Sequence, residues 1–85
     1  MEIKLDIPEY QVSEGLSHYW SPGFEISVME VNGEVVIKSN KAGLLSLAVQ
    51  LLSLAQDDVP SGSHYHYDEH ACLEDGSVGL VIEKA

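Results

Sequence analysis

The sequence contains one long apolar run with helical periodicity, between Asn40 and Gln56, and this run limits what the chain can fold into. On a helical wheel its leucines and alanines fill about half of the circumference. We expect this face to be buried against a sheet, with Ser39 or Asn40 capping the start of the helix. The apolar face consists of Leu44, Leu45, Leu47, Ala48, Leu51, Leu52, Leu54 and Ala55.

The other side of the predicted helix carries Ser46, Gln50 and Ser53 and no charged residue. This is unusual in a chain whose net charge is -10. Two interpretations are open. Either this polar side faces solvent, or it is also covered, by residues 9–23 or by a second copy of the chain. Residues 9–23 contain turn signals and aromatic residues but no readable period, so the sequence assigns them no role.

Strand signals precede the helix. Apolar and charged residues alternate over Ile3–Ile7, which predicts a first strand. The segments Phe24–Val31 and Glu34–Lys38 are rich in β-branched residues, which favour strands. Between them, Asn32-Gly33 readily takes the positive φ angles of a type I′ turn, so the two segments predict a β-hairpin.

Two further strands are predicted after the helix, at His64–Asp68 and Val78–Glu83, with a short connection between them. The chain of 85 residues is predicted to be a single domain, residues 1–85. The order strand, hairpin, helix, hairpin predicts an α+β fold. We expect a mostly antiparallel four- to five-stranded sheet with one long α-helix packed on one face.

The charge of the chain restricts its partners. There are 14 acidic residues against 4 lysines and no arginine. A phosphate backbone would repel such a chain, so we predict no binding to nucleic acid. Negative charge favours encounter with a basic partner instead.

The sequence also indicates where the protein acts. A single cysteine, Cys72, cannot form an internal disulfide, which fits a reducing compartment. The first residues contain no apolar segment typical of a signal peptide. The longest apolar stretch, Ala42–Ala55, is interrupted by polar residues and is shorter than a membrane span. We therefore predict a cytoplasmic protein that does not bind a membrane.

The string His64–Asp68 is the most distinctive polar motif. In a strand, His64, His66 and Asp68 project from one face about 6.5–7 Å apart. Two histidines and a carboxylate can share a zinc ion, so a metal- or ligand-binding module is an alternative function. In the other interpretation this is a polar strand face with the tyrosines packed inward. Because a shift of one residue inverts a strand, the exposed face stays open. We predict neither a bound metal nor any other cofactor.

No catalytic arrangement is recognisable in the sequence. Cys72 lies near His66 and His70, and a thiolate–imidazole pair is one conceivable nucleophile. No third group orients such a pair, and the chain lacks a nucleophile elbow and a phosphate-binding glycine loop. We therefore predict that the protein is not an enzyme.

Acidic residues form two groups, one along the first hairpin and one around the second. They are either solvated faces or an acidic surface that meets a basic protein. Our hypothesis is the second, with two histidines beside the acidic residues. The predicted partner-binding residues are Glu25, Glu30, Glu34, His64, His66, Asp68, Glu69, Glu74 and Asp75.

Four motifs occur together: Asn40–Ala48, Leu51–Ala55, Gly62–Asp68, and Leu73–Ser77 followed by an apolar strand. In combination they resemble the immunity protein 32 family of bacterial polymorphic toxin systems, over roughly residues 34–84. The resemblance implies a non-catalytic protein that neutralises a cognate toxin, and it suggests a basic, nuclease-type toxin. A self-associating structural or regulatory subunit, a homodimer through the uncharged helix side or a sheet edge, stays open as an alternative.

Overall fold

The computed structural model describes all 85 residues, and its order is hairpin, helix, hairpin. Strands β1 (Ile26–Val31) and β2 (Glu34–Ser39) form one antiparallel pair. Helix α1 (Lys41–Leu54) follows, and strands β3 (His64–Tyr67) and β4 (Leu80–Glu83) form the second antiparallel pair. The predicted α+β class is confirmed. No helix combines the length and the apolar character that crossing a membrane requires.

Local signals at the first hairpin and at the start of α1 are confirmed. Asn32 and Gly33 have φ angles of 51° and 82°, as a type I′ turn requires. Asn40 is the N-cap, and its Oδ1 accepts a hydrogen bond from Gly43 N at 2.9 Å. The same Asn40 oxygen accepts a bond from Glu25 N at 3.1 Å, so the cap also ties the helix to the start of β1.

The prediction of one four- to five-stranded sheet is not confirmed, because four strands form two separate two-stranded sheets. Residues 74–78 lie along the edge of β1 that faces away from β2, and Glu74 N donates to Ile26 O at 2.8 Å. Further along this edge, however, Val28 N donates to the Ser77 hydroxyl at 3.1 Å. Since a side chain takes the place of a backbone carbonyl there, the regular ladder is interrupted.

The strand predicted at Ile3–Ile7 is also absent, since residues 1–10 contain no strand. The side-chain amide of Gln56 donates to Pro8 O and accepts from Tyr10 N, both at 3.0 Å. These bonds hold the N-terminal segment against the end of α1. The alternating residues before Pro8 therefore have no strand to pair with, although Leu5 and Ile7 are partly buried.

The structure corrects the prediction of which face of α1 is buried. Leucines that were expected to contact the sheet are 44–55% exposed, whereas the polar side is at most 2% exposed. Of the predicted stripe, Leu47 and Leu54 do reach the core. The exposed leucines are Leu44, Leu51 and Leu52, and the buried polar residues are Ser46, Gln50 and Ser53.

Residues 8–21 cover this polar side, so the second of the two interpretations of the helix is right. The Ser46 hydroxyl accepts a bond from Ser21 N at 2.8 Å. The Gln50 side chain donates to Tyr19 O at 2.7 Å and accepts from the Tyr67 hydroxyl at 2.8 Å. No buried side-chain nitrogen or oxygen lacks a hydrogen-bond partner, which removes the usual cost of burying polar groups.

The core lies between α1, the two hairpins and the segment before β1. Tyr65 and Tyr67 of β3 point into it and are each 1% exposed. Trp20 contacts the ring of Tyr67 edge-on at 6.0 Å and stacks on Phe24 at 4.4 Å. Residues 9–23, which the sequence left without a role, thus supply a wall of the core. The core residues are Ile26, Val28, Leu47, Leu54, Val59, Tyr65, Tyr67 and Leu73.

Candidate partner-binding site

The connection between β3 and β4 is a loop, residues 68–79, which carries four of the predicted contact residues. It is braced by its own hydrogen bonds. The Asp68 carboxylate accepts from His70 N at 3.0 Å, and Asp68 O accepts from Leu73 N at 2.9 Å. The Glu69 carboxylate accepts from Gly76 N at 2.8 Å, which joins the two ends of the loop. The loop therefore presents its carboxylates from a fixed backbone.

This loop meets Glu25, the residue before β1. Glu74 N is bonded to Ile26 O, and Glu25 and Glu74 line the same shallow depression of about 350 Å³. Lys38 of β2 lines this depression as well. The structure thus brings together five predicted contact residues from distant parts of the chain, four of them exposed and Asp68 partly buried. We call them the acidic cluster: Glu25, Asp68, Glu69, Glu74 and Asp75.

The other two acidic residues lie apart from this cluster. Glu30 and Glu34 flank the turn of the first hairpin and are exposed. Because a strand rises about 3.3 Å per residue, Glu30 lies roughly 13 Å along β1 from Ile26. The predicted acidic residues therefore form two groups at opposite ends of the hairpin rather than one continuous strand face.

The two histidines form a third group on the outer face of β3. His64 and His66 are exposed, while Tyr65 and Tyr67 point inward, which decides between the two orientations that the sequence left open. Across the ladder, His64 lies opposite Glu83 and His66 opposite Val81, both exposed.

The His-x-His-x-Asp string does not converge on one point. β3 ends at Tyr67, and the Asp68 carboxylate is turned toward the backbone of its own loop. No group of three or more His, Cys, Asp or Glu side chains is arranged to hold a metal ion. The outer face of β3 is thus a polar surface with two imidazoles.

Burial raises the pKa of three groups beneath this surface. It raises the pKa of Tyr67 well above its usual range and raises the pKa of Tyr65. Both hydroxyls are therefore protonated at neutral pH and donate their hydrogen bonds, Tyr65 to Ser17 O at 2.6 Å. Burial also raises the pKa of the Cys72 thiol, which disfavours the thiolate that a nucleophile would need.

Sequence reasoning missed two parts of the surface. Glu83 and Val81 share the outer face with the histidines, and the alternation of β4 could have indicated them. The larger omission is apolar. Three leucines of α1, whose helical periodicity had predicted burial, are exposed, and so are three consecutive apolar residues of β2. They are Leu44, Leu51, Leu52, Val35, Val36 and Ile37.

The protein is thus small, acidic and of the α+β class, and it carries a charged loop that is held by its own hydrogen bonds. A family model described as Immunity protein 32 matches residues 34–85, from β2 to the end of the chain and well over half of its length. The chain therefore belongs to the immunity protein 32 family, as its motifs predicted. Immunity proteins are in general not catalytic. No curated protein matches the chain, and no solved structure does.

Proposed function

We propose that this protein binds a cognate toxin in the cytoplasm and neutralises it by non-catalytic association. Family membership supports an immunity function. The observation that carries the proposal is the acidic cluster. Its four exposed carboxylates and Asp68 lie on or beside one loop, which is held in place by its own hydrogen bonds. A partner meets this surface with little loss of conformational entropy, because the loop is already ordered.

The charge of the surface favours a basic toxin of the nuclease type. A nuclease holds a phosphate backbone in a cleft of positive potential. An acidic protein with a net charge of -10 can occupy such a cleft and exclude the substrate. Complementary charge also speeds the encounter, up to about 10⁸ M⁻¹s⁻¹ at low salt.

We place the acidic cluster at the centre of the contact and the hairpin and β3 residues at its margin. Central residues of an interface lose most solvent and carry most of the affinity, whereas charges at the rim mainly change the association rate. The hairpin turn and the outer face of β3 belong to elements other than the loop that carries most of the cluster. The marginal contacts are Glu30, Glu34, His64 and His66.

Reversing charge within the cluster tests this surface. The best positions are Glu25, Glu74 and Asp75, because the carboxylates of Asp68 and Glu69 hold the loop and their loss would disturb it. We expect the combined change of these three residues to lysine to weaken toxin binding about 10- to 100-fold. The dependence of affinity on salt should flatten as well. Isothermal titration of the toxin domain at several salt concentrations measures both effects.

The control is a second triple variant with the same change in net charge, located at the other end of α1. Glu14, Asp57 and Asp58 are exposed near the end of α1, roughly 20 Å from the cluster. Changing these three residues to lysine should lower the affinity only through the weaker, long-range attraction between the net charges of the two proteins. Equal losses in the two triple variants would show that net charge alone matters, and the proposed surface would then be wrong.

A further inference from the structure

The outer edge of β2 is an unpaired strand edge. β2 is hydrogen-bonded to β1 on one side and has no neighbour on the other. Val35, Val36 and Ile37 follow one another along this edge and are 63%, 39% and 43% exposed. Natural proteins cover or interrupt such an apolar edge, because it pairs readily with another strand.

The hydrogen-bonding groups on this edge follow from the hairpin. A two-residue turn joins Val31 to Glu34, and Asn40 N donates to Glu25 O at 3.1 Å. Since bonded pairs alternate along an antiparallel ladder, Val36 directs its backbone groups toward β1. Val35 and Ile37 must then direct theirs outward. No hydrogen bond outside the helix and strands uses these outward groups.

The side chains of β2 specify a register for a second copy. In an antiparallel pair of β2 strands centred on Val36, Val35 lies opposite Ile37 of the other copy, and their outward backbone groups meet. The same register places Glu34 opposite Lys38 and Lys38 opposite Glu34, in the closely spaced positions of the ladder. Lys38 is one of only 4 lysines in the chain.

Pairing through β2 also limits the assembly to two copies. The other edge of β1 is already occupied, because Ile26 O and Val28 O accept bonds from Glu74 N and Val78 N. In a sheet made from two hairpins, the outer edge of each β1 would therefore be occupied at Ile26 and Val28. A two-fold symmetric pair results, not an open filament.

We propose that two copies of this protein associate through β2 in an antiparallel pair centred on Val36, with reciprocal Glu34–Lys38 contacts. Lys38 lines the depression beside Glu25 and Glu74, and Glu34 is one of the marginal toxin contacts, but the inference does not depend on the proposed toxin. About four backbone hydrogen bonds form across the two-fold axis. The contact is small, so the pair exchanges with monomer at moderate concentration.

Charge exchange in the purified protein, with no toxin present, tests the register. Across the hairpin, Glu34 lies opposite Val31 and Lys38 opposite Ser27, so neither change removes an ion pair directly across β1. Glu34→Lys and Lys38→Glu should each raise the dissociation constant of the dimer about tenfold or more, because both symmetric contacts become repulsive. The double variant Glu34→Lys/Lys38→Glu should restore it. Sedimentation equilibrium from micromolar to millimolar protein measures this constant.

Cross-linking provides an independent readout of the same register. In a Cys72→Ser background, Val36→Cys places two thiols opposite each other, where the Cα atoms are about 4.5 Å apart and a disulfide can form. Val31→Cys is the control, an exposed position on β1 away from the proposed axis. Mild oxidation should yield covalent dimer from Val36→Cys much faster than from Val31→Cys.

Three results would overturn this inference. They are a wild-type protein that is monomeric at millimolar concentration, a dissociation constant that does not respond to charge exchange, and equal cross-linking at the two positions. A protein that is monomeric alone, and whose β2 edge pairs only with added toxin domain, would equally exclude self-pairing. Failure of the toxin proposal would leave the sedimentation and cross-linking results for the protein alone unchanged, since those measurements contain no toxin.

Discussion

Replacing Gln50 by leucine is expected to lower the free energy of unfolding by about 2–4 kcal/mol. The leucine side chain has a similar volume, but it can bond neither the Tyr67 hydroxyl nor Tyr19 O. Each buried group left without a partner costs about 1–3 kcal/mol. A domain of this size has about 5–15 kcal/mol in total, so the loss is large. Urea denaturation measures it, and the melting temperature should fall by about 10–30 °C.

The matched control for this variant is Gln11→Leu. Gln11 is exposed, so the same chemical change there should alter stability by no more than about 0.5 kcal/mol. If Gln50→Leu were as stable as the control, residues 8–21 would not be held on α1 by this amide.

Replacing Gly43 by alanine should lower stability by about 2 kcal/mol, although the change stabilises an exposed helix by about 1 kcal/mol. An alanine Cβ at this position would lie 2.7 Å from Ile26 Cγ1 and 3.0 Å from Glu25 O, and it would overlap the Ser39 hydroxyl. The carbonyl belongs to the backbone, which cannot move without disturbing the start of β1. Forcing extra volume into such a contact costs about 1–3 kcal/mol.

A double variant separates the overlap from other effects at this site. Ser39→Ala removes the nearest atom, so Gly43→Ala should be less damaging when it is made in the Ser39→Ala protein. Urea denaturation of the four proteins gives the coupling. A Gly43→Ala protein more stable than the wild type would mean that helix propensity dominates, which would contradict the close packing of α1 against β1.

Features governed by neighbouring residues were predictable from the sequence. The Asn32-Gly33 turn and the Asn40 cap each depend on two to four adjacent positions, and both are confirmed. The β3 orientation was open but had only two solutions, because alternation restricts a strand to one face or the other. The structure selects the one with His64 and His66 outside.

The buried face of α1 could not be predicted in this way. Periodicity treats leucine as inward and glutamine as outward. Gln50 is nevertheless buried, because its partners are Tyr19 O and the Tyr67 hydroxyl, 31 and 17 residues away along the chain. Small residues such as Ser46 then let the covering segment approach closely. A pattern of local hydrophobicity contains none of these distant bonds.

The candidate site was only partly predictable, because contacts between distant residues also determine how it is assembled. Residue types identified the acidic positions, but their grouping depends on how the 68–79 loop folds. The bond from Gly76 N to Glu69 and the bond from Glu74 N to Ile26 O bring the cluster together. The Ser77 hydroxyl replaces a ladder carbonyl at β1 and turns an expected sheet into two. None of these three contacts has a sequence signature.

We propose that the protein neutralises a toxin by occupying it, without making or breaking a covalent bond. The most direct test titrates the activity of a cognate toxin domain with increasing amounts of the purified protein. Activity should fall in proportion to the added protein and reach zero at a fixed molar ratio, and the toxin should be recovered with its mass unchanged. Inactivation by trace amounts of the protein, a toxin of altered mass, or activity that persists at excess protein would contradict the claim.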